Sequence, residues 1–186
     1  MNELVTTAVQ AGSEETLQYL TFSVMRETMA IGILDVDEII EVGDMTRVPM
    51  SNNSIRGVIN LRGNVVPVVD LTSRLGGESQ SELSKRSCIV LVDVRHDDER
   101  HTMGMLVDEV NEILEIPEED IKKTPDFGTD IRPDFIERMG RVDNEFIILL
   151  NIERVLSVEE LTDAYLTKMG STQGSSSRPA LTAPAD

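Results

Sequence analysis

Few residues in this chain have the types and spacing that chemistry requires. His96 and His101 bracket Asp97, Asp98 and Glu99, five groups that could in principle ligate a metal. A metal site needs ligands converging from rigid elements with outer support, whereas this run lies between two apolar stretches and reads as a solvated hairpin loop. Asp108, Glu109, Glu112, Glu115, Glu118, Glu119 and Asp120 form an acidic run without the alternating Asp/Asn and central Gly of a calcium loop; it reads as a solvated face. Asp37 with Glu38, and Asp108 with Glu109, could exchange protons, but nothing in the sequence places a pocket around them. No serine or cysteine carries a nucleophile signature. Gly76-Gly77 lacks the lysine and spacing of a phosphate loop, and Asn52-Asn53-Ser54, a glycosylation-type triplet, reads as a polar turn. Neither catalysis nor a metal or other cofactor is expected.

One cation stands apart. Arg62 lies in the most patterned stretch, Ile55 to Leu71. Two apolar runs flank Gly63-Asn64, a pair suited to a primed hairpin turn because Gly and Asn both tolerate positive φ. Ile59 and Leu61 alternate with Val58, Asn60 and Arg62, as a half-buried strand does. Val65, Val66, Val68 and Val69 read as a strand covered on both faces. Pro67, having no N–H, is expected at an edge or bulge. Arg62 is thus expected immediately before a tight turn. It could be paired across the surface with a neighbour such as Glu38, or be a partner anchor, since its planar fork desolvates more readily than an ammonium.

The whole composition narrows the classes. With 186 residues the chain can bury a sizeable core. Its net charge of −17 disfavours nucleic acid and anionic lipid as direct partners. One cysteine, Cys88, rules out a disulfide framework and is expected as a small buried hydrophobe. With no secretory leader pattern and no apolar run of membrane-spanning length, a cytoplasmic setting is expected.

Taken in order, residues 1–16 read as a disordered tail. Strands are expected at 17–24, 29–34 and 42–48, with a short helix at 35–40. The hairpin follows, then a helical turn capped by Asp70, and a polar connector at 76–85. Further strands are expected at 86–94, 102–107, 135–142 and 145–152, and the acidic run from Asp108 to Ile113 as a separate segment. Ser157-Val158-Glu159-Glu160 is a capping box opening a helix over 157–169, with Val158, Leu161, Tyr165 and Met169 as its apolar stripe. Residues 170–186 read as a second disordered tail. The layout recurs: Gly32 and the Val36-Asp37-Glu38 segment are echoed by Gly104 and Val107-Asp108-Glu109, and Gly63-Asn64 by Asp143-Asn144. An approximate duplication of a five-strand unit predicts two small lobes with a groove between them. The second hairpin has no counterpart of Arg62, so the scaffold does not demand that arginine.

The stretch Ile55–Leu71 resembles the central motif of CheW, the bacterial chemotaxis coupling protein family. The likeness spans roughly Leu17 to Leu166, including Gly32-Ile33-Leu34, Val36-Asp37-Glu38-Ile39, Gly104, Pro125-Asp126-Phe127 and Asn151-Ile152-Glu153. It implies an all-β fold with short helices: two intertwined five-stranded SH3-like β-barrels plus a C-terminal helix. The first barrel would be mainly 17–76 and the second mainly 86–153, exchanging elements within one domain over 17–169.

The resemblance also implies a non-enzymatic scaffold linking the cytoplasmic tips of methyl-accepting chemoreceptors to the regulatory domain of the histidine kinase CheA, recruited to membrane-associated receptor arrays. Val36, Glu38, Ile39, Gly57, Arg62, Val110 and Ile113 would form the receptor face. Lys122, Asp126 and Phe127 would form a kinase-docking surface, joined more loosely by Met45, Arg47 and Arg56. Lys122 stands where relatives carry arginine, and lysine cannot make the same planar fork. An adaptor of a non-flagellar chemosensory pathway, or a truncated CheV-type protein, would share these features. A proline-peptide barrel fits poorly, because such grooves use aromatic walls and the chain has four Phe, two Tyr and no Trp.

Overall fold

Alternating apolar residues and tight turns build eleven strands. The computed structural model describes residues 16–48, 53–125 and 130–161. In chain order these are β1 (Thr16–Val24), β2 (Glu27–Gly32), β3 (Val36–Glu41), β4 (Ile55–Leu61), β5 (Asn64–Asp70), β6 (Cys88–His96), β7 (Glu99–Val107), β8 (Glu109–Pro117), β9 (Ile121–Lys122), β10 (Ile136–Val142) and β11 (Glu145–Leu150). Short helices α1 (Leu71–Arg74) and α2 (Ile152–Val155) follow β5 and β11. One sheet has the order β8-β1-β2-β11-β10-β9 and the other β3-β6-β7-β5-β4, with Thr46 bridging to Val58 beyond β4.

The two orders are the same order read in two halves of the chain, which is the duplication. Each sheet takes a hairpin from the opposite half: β1–β2 sits among β8–β11, and β6–β7 among β3–β5. The hairpins β4–β5 and β10–β11 even share a bulge, with register shifting between Ile55 and Gly57 in one and Ile136 and Arg138 in the other. Three apolar clusters result. Ile59, Val66, Val68, Ile89, Leu91 and Leu106 fill one sheet's concavity; Ala30, Ile116, Ile147 and Leu149 fill the other's. The largest lies between the sheets and includes Phe22, Met29, Val69, Val90, Met105, Phe135 and Leu150.

Three expectations are corrected. Residues 35–40 are not helical: a 3-10 turn at Ile33–Asp35 leads into β3, because β6 offers an unpaired edge that β3 takes up in antiparallel register. Of residues 42–48 only Thr46 pairs, through its bridge to Val58. The acidic segment after Asp108 is a nine-residue strand, β8, paired with β1; its charges alternate outward while Ile116 is buried. Pro67 is neither at an edge nor in a bulge. It faces Val58 on β4 and stands one residue before the parallel pairing with β7 begins at Val68, so its missing N–H forfeits no ladder bond. Cys88 is half-buried rather than buried. The two tails, residues 49–52 and 126–129, and the helix beyond Leu161 lie outside the described residues.

Asp70 ties these parts together. Fully buried, it caps α1 by accepting from the Ser73 N–H at 3.2 Å, and accepts from the Ser81 N–H and hydroxyl, each at 3.0 Å. Arg56 pairs with it at 3.1 Å and donates to the Ser81 carbonyl at 2.8 Å. The connector between the halves is thereby pinned to the first hairpin. Asn151 caps α2 in the same way, accepting from the Arg154 N–H at 3.2 Å. Removing one partner of a buried charge pair strands the other, so Asp70→Ala should lower unfolding free energy by about 3 kcal/mol. Asp70→Asn, which keeps the cap that Asn151 shows to be workable, should cost less. Urea unfolding of the two variants beside the wild type checks the order.

Candidate functional site

The β4–β5 hairpin places Arg62 differently from expectation. Leu61 pairs with Asn64, so the two-residue turn is Arg62-Gly63, with φ of 51° and 87°, not Gly63-Asn64. Both residues are left-handed, as a type I′ turn requires. Asn60 braces it, its side-chain oxygen accepting from the Gly63 N–H at 2.9 Å. The counterpart turn is Asp143-Asn144, with φ of 49° and 64°, between Val142 and Glu145. Arg62 therefore corresponds to Asp143: the repeat keeps the turn and reverses the charge.

From the tip, Arg62 Nη2 reaches Glu38 Oε2 at 2.7 Å. The guanidinium side chain is 71% exposed and the carboxylate side chain 38%. Such a pair contributes about 0–1 kcal/mol, too little for the fold to depend on it. Its effect is geometric: it holds the cation against β3, the edge strand of the same sheet. Val36 and Val110, on edge strands β3 and β8, are half-buried and pack against the central cluster between the sheets. Ile39 and Ile113 are exposed apolar residues on those same strands. The receptor-face residues named from sequence thus divide between the two sheet edges that border the inter-sheet core.

Gly57 is the exception. It is buried, and a Cβ there would lie 2.6 Å from the Thr46 carbonyl oxygen. Its role is to let the Thr46–Val58 bridge form, not to meet a partner. Arg56 is likewise committed inside the Asp70 network, and Met45 packs on the core beside Ile59. Arg47 is exposed, as is Lys122 on β9, paired opposite Met139. Asp126 and Phe127 lie outside the described residues. Sequence reading missed Leu34, which is 98% exposed on the 3-10 turn just before Val36; read as the end of a strand, it carried no signal. Beside it, burial and then Glu153 raise the Asp35 carboxyl above its ordinary range.

A second cluster fixes the end of the chain. Arg132 makes paired contacts to Glu160 at 2.9 and 3.0 Å and to Asp134 at 2.6 and 3.0 Å. Arg74 adds a contact to Glu160 at 2.5 Å and donates to the Val155 carbonyl at 2.7 Å. Both guanidiniums lie over the Phe135 ring, 4.8 and 4.3 Å from its centroid. Arg132, then Arg74, hold the Glu160 carboxyl down to about 2.

Among the described residues no group of three or more histidine, cysteine or acidic side chains could hold a metal ion. His96 and His101 have ring centroids 6.1 Å apart, and His96 meets Asp97 at 3.3 Å, a turn contact. Two interlocked sheets, exposed apolar residues on their edges and a braced arginine at a hairpin tip define a β-rich interaction module.

The CheW-like domain pattern matches residues 18–160. A chemotaxis protein CheW from Klebsiella aerogenes is 30% identical over 161 residues, covering 87% of this chain and 94% of that protein. One from Thermotoga maritima is 32% identical, covering 82% and 94%. The crystal structure of a CheW scaffolding protein from Thermoanaerobacter tengcongensis superposes with a TM-score of 0.69 at 30% identity, covering 77% of this chain and 94% of that one. The chain belongs to the CheW-like domain family, and is a non-catalytic coupling adaptor of chemotaxis signalling.

Two variants separate structural from surface roles. Gly57→Ala, forced against the Thr46 carbonyl, should destabilise by about 1–3 kcal/mol, read from its denaturation midpoint. Glu160 has a depressed folded pKa, so its stabilisation is present above its unfolded value of 4.5 and lost as pH falls from there towards about 2. Glu160→Gln should flatten the fall in melting temperature across that window, with the wild-type fall shrinking at high salt because the carboxylate is part-exposed.

Proposed function

We propose that this chain couples methyl-accepting chemoreceptors to the histidine kinase CheA, with the receptor tip docking along the border between the two sheets. The observation that carries this reading is Arg62: a largely exposed arginine on a rigid turn, aimed by Glu38, at a position where the repeat itself has Asp143. Val36, Ile39, Val110 and Ile113 would supply apolar contacts to a helical hairpin, with Glu38 and Arg62 fixing its register, a helix-in-groove mode with a charged anchor. Glu38 already satisfies Arg62 in the free protein, so binding exchanges one partner for another and spends little on ordering the side chain.

The kinase would meet a separate surface at the end that carries Lys122, with Asp126 and Phe127 contributing from their neighbouring segment. Arg47 is available to a partner; Arg56 and Met45 would act by holding the hairpin and the adjoining segment in shape. The protein would work in the cytoplasm at receptor arrays, transmitting a shift in the populations of array states rather than a bond change.

Co-sedimentation with a receptor cytoplasmic fragment, with and without the CheA regulatory domain, tests the reading. Arg62→Ala should keep the wild-type melt and kinase-domain binding while weakening receptor binding about tenfold or more, as loss of an interface hot spot does. Equal receptor binding by wild type and variant would remove Arg62 from the interface.

A further inference from the structure

Behind the Arg62 hairpin lies a groove of about 500 Å³, walled by Val65, Val66 and Pro67 of β5, Met103 of β7, and Val158 and Leu161 of the final helical segment. It is distinct from the β3–β8 border. Its polar rim is turned elsewhere: the Thr102 hydroxyl donates to Asp93 at 3.0 Å, and Arg100 lies 3.8 Å from the same carboxylate. A groove that is apolar inside, with few polar groups converging on it, suits side chains rather than a polar small molecule.

We propose that its occupant is this chain's own continuation, residues 162–169, with Tyr165 and Met169 laid along it. Three observations converge on that segment. The chain enters at the groove wall: residues 158–161 are helical, with the Leu161 N–H donating to the Ser157 carbonyl at 3.0 Å and the Glu160 N–H to the Ser157 hydroxyl at 3.4 Å. Its starting direction is fixed, because Glu160 is held by Arg132 and Arg74. Val158, Leu161, Tyr165 and Met169 follow at steps of three and four residues, the spacing that puts side chains on one helix face, and the first two of them already line the groove. Because Leu61, Asn64 and Val65 also line it, filling it braces the β4–β5 hairpin from behind. The proposal stands independently of whether Arg62 meets a receptor.

The test is nuclear magnetic resonance on the full chain with labelled methionine, valine and isoleucine methyls. Tyr165 is easily followed, since Tyr19 is the other of two tyrosines. The expected result is contacts from the Tyr165 ring to the methyls of Ile55, Val66 or Met103, unchanged on dilution. Tyr165→Asp with Met169→Asp should shift those methyls and speed amide exchange at Asn64–Val66 about tenfold. Solvent-like signals from Tyr165 and Met169 in the wild type would overturn the proposal. So would contacts seen only between differently labelled copies, which would make the occupant a second molecule, or groove methyls that respond only to an added receptor fragment.

Discussion

The apolar cluster between the two sheets is the constraint on which everything else depends. It draws residues from both halves of the chain and is larger than the core of either sheet. Each half alone would leave one face of its hairpins, with Phe22, Met29, Val90 and Met105, exposed to water, and burying a side chain of that size is worth about 1.5–3 kcal/mol. Exchange of the β1–β2 and β6–β7 hairpins removes that choice, since neither sheet is complete without strands from the other half. The two sheets are held as one body, and the border where edge strands β3 and β8 flank their shared core is a fixed surface. A docking site built there inherits its rigidity from the core.

Hairpin turns carry the variation that this rigidity permits. Met25-Arg26, Arg62-Gly63, Asp97-Asp98 and Asp143-Asn144 all have φ near the left-handed region. A left-handed residue other than Gly, Asn or Asp costs about 1–2 kcal/mol, so arginine at position 62 is locally unfavourable where Asp143 is not. That alone does not mark function, because Met25-Arg26 bears the same strain. There, however, a structural return is visible: the Met25 N–H donates to Asp108 at 3.1 Å, and the Asp108 N–H to the Ser23 carbonyl at 3.0 Å, tying the turn to the start of β8. Arg62 has only the exposed contact to Glu38, whose worth does not exceed the strain. Its retention is better accounted for by a partner than by the fold.

Strands whose signal lies in their own residues were legible in the sequence: β1, β5, β6 and β11 are dense in β-branched or alternating apolar residues, and Asp70 and Ser157 announced their helix starts. Elements defined by a distant neighbour were not. β3 has helical spacing at Val36, Ile39 and Ile40, and becomes a strand because β6 presents an open edge. β8 reads as a charge run, and becomes a strand because β1 does the same. The turn at Arg62-Gly63 was misplaced by one residue because Asn64 favours turns as strongly as Gly63 does, and only the cross-strand register decides between them.

The same distinction divides the residues that the resemblance singled out. A sequence motif records every position that a coupling adaptor needs, without separating contact from support. Gly57 and Arg56 belong to support: one lets two backbone segments approach, the other neutralises a buried carboxylate. Both lie within a few residues of Arg62 on the same hairpin, so a defect at either moves the arginine without altering any atom that a partner touches. Loss of coupling on substituting Gly57 is therefore weak evidence for contact at Gly57, whereas the same loss at Arg62, whose side chain the fold can do without, is strong evidence for contact there. Energetic independence from the scaffold is what makes a residue readable as an interface residue, and on this hairpin Arg62 has it.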